Sequence, residues 1–126
     1  MREFIPFNRP SCASQSYRYV EEAMRSAHHS GDGPFTKWCN DFLANATNSK
    51  AALLTTSCTH ALEMAAMLLD FRSGDEVILP SFNFVSAANA FISQQGKPVF
   101  VDVRTDTLNI NEQLIEKAIT KRTKAI

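Results

Sequence analysis

Apolar and polar positions change rhythm once along the chain, near residue 50. Before that point Tyr17, Val20 and Met24 recur at helical spacing, with Ala23 and Ala27 on the same stripe, and predict a helix over residues 15–27. His28-His29-Ser30-Gly31-Asp32-Gly33-Pro34 interrupts it, and Pro34 is suited to the first turn of a second helix. Phe35, Trp38, Cys39, Phe42, Leu43 and Ala46 follow at i, i+3, i+4, i+7, i+8 and i+11, the strongest periodic signal in the sequence. One face of that helix is expected to be buried.

After a polar connector over residues 45–50, short apolar runs alternate with helical segments. Strands are predicted over 51–55, 76–79 and 98–103, the second stopped by Pro80; helices are predicted over 59–71, 84–94 and 111–120, with Asn111 as an N-cap. Arg72-Ser73-Gly74-Asp75 reads as a turn. The order is βαβαβα, an α/β pattern. Strands separated by helices lie parallel with right-handed crossovers, and ligands bind beyond their carboxyl ends. That places the useful loops at 57–59 and 80–84. The organisation expected is a helical segment over 1–50 and an α/β region over 51–126. Residues 121–126 repeat the approach to a strand, so the chain is expected to be the first part of a larger enzyme.

Composition removes whole classes of function. Among 126 residues, 44% are hydrophobic and 21% charged, enough for a packed core. Thirteen Lys plus Arg balance thirteen Asp plus Glu, so the formal net charge is +0 and nothing draws the chain to nucleic acid or an anionic membrane. Met1-Arg2-Glu3-Phe4-Ile5-Pro6 lacks the apolar run of a secretion signal, no later segment has the length of a membrane span, and a cytoplasmic location is the default expectation. Cys12, Cys39 and Cys58 match no zinc or haem spacing and read as reduced thiols. Asn45-Ala46-Thr47 is then a chance match to a glycosylation signal.

Few residues carry candidate chemistry. Thr55-Thr56-Ser57-Cys58-Thr59-His60 lies between a predicted strand and a helix, where open backbone N–H groups and the helix dipole can hold a phosphate; the same Ser and Thr also suit simple N-capping. Cys58 and His60 stand two apart and do not face one another on a helix. His28-His29 has no further metal ligand at suitable spacing, and no metal is expected. Gly31-Asp32-Gly33 is not a dinucleotide fingerprint, and no Gly-Lys-Ser/Thr loop occurs. Phe82 and Phe84, after the second strand, read as core caps or ligand contacts, and Asp102 as a ligand contact or a turn cap.

The ordered series Ile5-Pro6-Phe7-Asn8, Gly31-Asp32-Gly33 with Phe35-Thr36, Leu54-Thr55-Thr56-Ser57-Cys58-Thr59 with Ala61-Leu62-Glu63, Gly74-Asp75-Glu76-Val77-Ile78, Pro80-Ser81-Phe82, Phe84-Val85-Ser86 and Phe100-Val101-Asp102-Val103-Arg104 resembles the N-terminal part of the DegT-type sugar-nucleotide aminotransferases. These are pyridoxal-phosphate enzymes of fold type I, and the resemblance runs the whole chain. It implies that residues 51–126 begin the cofactor-binding large domain, with a mainly parallel sheet preceded by two helices. It implies that Ser57, Cys58 and Thr59 grip the cofactor phosphate, that Phe84 stacks on the pyridine ring and that Asp32 contacts substrate.

The reaction implied moves an amino group, from a donor such as glutamate, to the C4 ketone of a dTDP-4-keto-6-deoxysugar. The product would serve surface glycans of the enterobacterial common antigen or lipopolysaccharide type, and the complete enzyme would be a homodimer. Asn83 and Ala87 depart from the threonine common in relatives. The family's pyridine-nitrogen carboxylate and its cofactor-binding lysine fall beyond residue 126, so no catalytic residue is expected here and the chain alone should be inactive. Two other readings remain open: a non-catalytic remnant or interaction module, and an unrelated small α/β phosphate-binding domain.

Overall fold

A computed structural model describes residues 4–126. The Arg2–Glu3 charge pair lies outside the described residues. The elements are α1 (Ser14–Arg25), α2 (Pro34–Thr47), α3 (Cys58–Leu68), β1 (Glu76–Pro80), α4 (Val85–Ile92), β2 (Lys97–Val101), α5 (Glu112–Ala118) and β3 (Thr123–Ala125). The chain divides between Leu54 and Thr55 into two compact units. Among the described residues no helix is long and apolar enough to cross a membrane.

The first unit holds two helices. Pro34 opens α2 behind Gly33, as its fixed φ favours, and Asn48 closes it in the left-handed conformation at φ 51. The α1 stripe is rotated from expectation: Tyr17, Val20 and Met24 are exposed, and Ser16, Tyr19 and Ala23 form the half-buried face. Tyr19 explains the rotation, because its ring meets the edges of both Phe35 and Trp38, at centroid distances of 5.6 and 6.0 Å. The apolar face of α2 is likewise only partly covered. Trp38 is 58% exposed and Phe42 67%.

Residues 51–55 correct a second expectation. They form no strand; Leu53 and Leu54 are exposed, and the Leu54 N–H donates to Asn40 Oδ1 at 2.7 Å. A short apolar run makes a strand only beside another ladder, and none of the described strands runs there. The third strand of the sheet comes instead from Thr123–Ala125. Residues 58–125 therefore read αβαβαβ rather than βαβαβα, and the α/β class with a parallel sheet holds.

In the second unit the sheet order is β2-β1-β3, with both pairings parallel. β1 is central, so Val77, Ile78 and Leu79 are all buried despite pointing alternately to opposite faces. Val77 and Leu79 pack with Ala66 of α3, Ala90 and Phe91 of α4, and Phe71. Phe71 lies beyond the end of α3, where the left-handed Asp70 (φ 50) turns the chain back so that its ring meets Phe91 edge-on at 5.3 Å. Gly74, at φ 95, makes the following turn, which glycine adopts without strain. Asp75 closes that turn, accepting from the Arg72 N–H at 2.9 Å and from Lys124 Nζ at 3.0 Å; these donors hold its carboxyl below the ordinary aspartate value.

Gly96 sits in the tightest place. A Cβ there would stand 2.8 Å from Phe71 Cδ1 and 3.0 Å from the Phe91 carbonyl oxygen. Gly96→Ala should therefore cost about 1–3 kcal/mol through overpacking. A urea unfolding midpoint unchanged from the parent chain would show that this corner of the core has slack.

Candidate functional site

The start of α3 is built by hydroxyl groups. Ser57 takes the extended conformation of an N-cap, and its Oγ accepts from the His60 N–H at 3.2 Å. Thr55 Oγ1 donates to the Ser57 carbonyl at 2.8 Å, and Thr56 Oγ1 is in hydrogen-bond contact with His60 Nδ1. These bonds leave the N–H groups of Cys58 and Thr59 without an acceptor among the described residues. Ser57 and Cys58 are exposed and Thr59 is half-buried. Two open N–H groups at the positive end of an 11-residue helix can hold an anion, and the Ser57 hydroxyl hydrogen remains free to donate while its oxygen caps. His60 turns its ring nitrogen to Thr56, four residues back, and not to Cys58.

Phe84 stands at the N-cap of α4, just outside the helix expected to begin with it. Its N–H donates to Asn83 Oδ1 at 2.7 Å, and its ring is 73% exposed. The ring borders an open cavity of about 220 Å³, with Leu79, Pro80, Asn83, Ala87 and Phe100 also on its walls. Beside it, β1 and β2 hand over to their loops. The Ser81 N–H donates to the Val101 carbonyl at 2.7 Å, and Asp102 Oδ1 accepts from the Val103 N–H at 2.8 Å. Asp102 therefore acts as a turn cap, with the Ser81 hydroxyl 3.4 Å away.

The structure thus puts Ser57, Cys58 and Thr59 at the start of α3, and Phe84 at the start of α4, on two helices that pack against one another. No hydrogen bond joins the two groups among the described residues. Asp32 belongs to the other unit. It is exposed, left-handed at φ 60, and 4.0 Å from Lys37 Nζ. Near it the His28 ring contacts Ser30 Oγ and the Gly31 carbonyl, both at 3.3 Å, beside a cavity of about 400 Å³ that Glu22, Thr36 and Trp38 also line. Among the described residues no three His, Cys, Asp or Glu side chains are placed to hold a metal. The sequence reading missed two contacts: Thr56 with His60, whose signal is the i, i+4 spacing, and Asn83 with Phe84, whose signal is an Asn just before a helix.

Comparison with known proteins places this geometry in a lineage. The sequence profile of the DegT/DnrJ/EryC1/StrS aminotransferase family matches residues 10–126. The chain belongs to that family. It is 37% identical, over 123 residues, to the uncharacterized protein MJ1066 of Methanocaldococcus jannaschii, covering 98% of this chain and 32% of that one. Its fold is similar to that of a putative sugar aminotransferase, Spr1654 of Streptococcus pneumoniae, solved in its PLP form, with a TM-score of 0.79 and 30% identity over 94% of this chain and 30% of that one. It is also similar to an aminotransferase from Psychrobacter cryohalolentis, with a TM-score of 0.82 and 28% identity over 94% of this chain and 30% of that one. The chain spans about a third of the length of these relatives.

If Ser57 is the cap of α3, Ser57→Ala should lower stability by about 1 kcal/mol, the usual cost of losing such a side chain. Asn111, whose Oδ1 accepts from the Gln113 N–H at 3.1 Å at the start of α5, is the matched comparison, and Asn111→Ala should cost a similar amount. Chemical denaturation of both variants beside the parent chain measures this.

Proposed function

We propose that this chain supplies the phosphate grip and the ring-stacking aromatic of a pyridoxal-phosphate-dependent sugar aminotransferase. The observation that carries the reading is the pair of open N–H groups, Cys58 and Thr59, at the start of α3 in a member of an aminotransferase family. The donor set fits a phosphate: backbone N–H groups, the Ser57 and Thr59 hydroxyls and a helix dipole, with no carboxylate among residues 55–60 to repel it. When bound, the cofactor supplies the electron sink for amino transfer. Ser57, Cys58 and Thr59 would hold and orient its phosphate, and Phe84 would stack on its ring and shield one face from water.

The sugar-nucleotide reading goes further. We assign the acceptor as a dTDP-4-keto-6-deoxysugar aminated at C4, with glutamate as donor and Asp32 as a substrate contact. This corresponds to the dTDP-4-amino-4,6-dideoxygalactose transaminase branch, in a cytoplasmic pathway to surface glycans. The support is the run of motifs from Gly31-Asp32-Gly33 to Phe100-Val101-Asp102. The uncovered Met24, Trp38 and Phe42 fit a subunit interface, in keeping with a homodimer.

Two measurements test this. In the complete enzyme, Thr59→Ala should remove a hydrogen bond to a charged phosphate, about 1.5–3 kcal/mol, and weaken cofactor affinity about tenfold to a hundredfold. Phe84→Ala should lower turnover of the keto-sugar even at saturating cofactor; parent-like behaviour of both variants overturns the site. In the 126-residue chain alone, borohydride reduction with pyridoxal phosphate should label no single lysine, because all six lysines are exposed and none borders the cavity beside Phe84. One stoichiometrically labelled lysine would place a covalent cofactor site within this chain.

A further inference from the structure

The loop that carries Asp32 is shaped by a histidine that the proposed function leaves unused. Between α1 and α2 the chain passes twice through the left-handed region at residues other than glycine, Ala27 at φ 56 and Asp32 at φ 60. An alanine gains nothing locally from that conformation, so its surroundings must hold it there. The Asp32 carboxylate has one ion-pair partner among the described residues, Lys37 Nζ at 4.0 Å. Both side chains are exposed, and so long and solvated a pair does not fix a loop.

His28 supplies the hold. Its backbone is tied to the end of α1: the His28 N–H donates to Ser26 Oγ at 3.3 Å, and that hydroxyl donates to the Ala23 carbonyl at 2.7 Å. Its ring reaches across the loop. Nε2 stands 3.3 Å from the Gly31 carbonyl and 3.3 Å from Ser30 Oγ; a carbonyl can only accept, so Nε2 carries the hydrogen and Ser30 Oγ shares it. The ring also closes on Gly33, the N-cap of α2, where an added Cβ would stand 3.2 Å from His28 Cδ2. At 3.3 Å each hydrogen bond is a long one, and the packing on Gly33 completes the hold. One side chain thereby ties the last turn of α1 to the glycines on either side of Asp32.

We propose that His28 is the positioning residue of the 26–33 loop: its Nε2 bond to the Gly31 carbonyl and its packing on Gly33 set the Asp32 carboxylate in the place from which it meets the keto-sugar. The inference rests on the reading of Asp32 as a substrate contact. His28 itself touches neither sugar nor cofactor, so its loss costs substrate affinity and leaves the chemical step alone.

Replacement by shape tests this. Glutamine puts an amide nitrogen where histidine has Nε2, whereas asparagine puts one where it has Nδ1, short of the Gly31 carbonyl. In the complete enzyme His28→Ala and His28→Asn should raise KM for the keto-sugar about threefold to tenfold, the equivalent of one hydrogen bond, with kcat and cofactor affinity unchanged. His28→Gln should restore the parent KM. His29→Ala is the control, since the His29 ring has no hydrogen-bond partner among the described residues, and it should keep the parent KM. In the 126-residue chain, backbone order parameters from nitrogen-15 relaxation at Gly31 and Asp32 should drop from the rigid range near about 0.85 to below about 0.6 in His28→Ala and His28→Asn, and recover in His28→Gln. Asp32→Asn separates the two ways of failing. A parent-like KM in that variant overturns the Asp32 reading, and the order parameters then decide alone whether His28 holds the loop. A raised KM there beside a parent-like KM in His28→Ala overturns the positioning role, as does equal loss in His28→Gln and His28→Asn or a fall in kcat alone.

Discussion

Burial of β1 on both faces is the constraint on which the α/β unit depends. A strand covered on both sides must be apolar at consecutive positions, and Val77-Ile78-Leu79 meets that demand. Its neighbours follow from it. β2 lies parallel in register, α4 must cross over to connect the two, and the crossover fixes Phe84 at the carboxyl end of the sheet. The Phe71–Phe91 contact seals the opposite side of α4, and Gly96 is the concession that lets the chain pass beneath those rings.

The turn before α3 is organised differently. A helix start leaves several N–H groups unpaired, and the sequence could have satisfied all of them with side chains. Here Ser57 takes the His60 N–H, while Thr55 and Thr56 engage the Ser57 carbonyl and the His60 ring. Every hydroxyl before Cys58 is spent on shaping the turn, and none on closing the Cys58 and Thr59 donors. The cap therefore also fixes the direction in which the open donors point.

Which parts were legible in the sequence follows from how local their causes are. The starts of α2, α3 and α5 are set by Pro34, Ser57 and Asn111 acting within one turn, and all three can be read from residue type and spacing. The 51–55 segment shows the limit, because its apolar run suits a strand and its ladder is missing. The α1 stripe fails for a related reason. Periodicity gives the Tyr17, Val20 and Met24 stripe, and only the position of Phe35 and Trp38 selects Tyr19 instead. Phe84 shifted by a single position, from helix residue to N-cap, because its backbone is extended (φ −72, ψ 137) where the helix begins at Val85. The roles of Ser57, Cys58, Thr59, Phe84 and Asp32 toward ligands rest on resemblance; spacing alone read the first three equally well as simple caps.

The two ends of β1 divide the labour between charge and its avoidance. At the amino end Asp75 and Glu76 gather Lys97, Arg122 and Lys124, so that end is held by ion pairs. At the carboxyl end the loop after Pro80 is uncharged from Ser81 to Phe84, and α4 carries no charge along its length. A site for an anionic cofactor gains from that segregation. Carboxylates near the open N–H groups would oppose a phosphate, while at the far end of the strand they sit where burial demands partners and finds them.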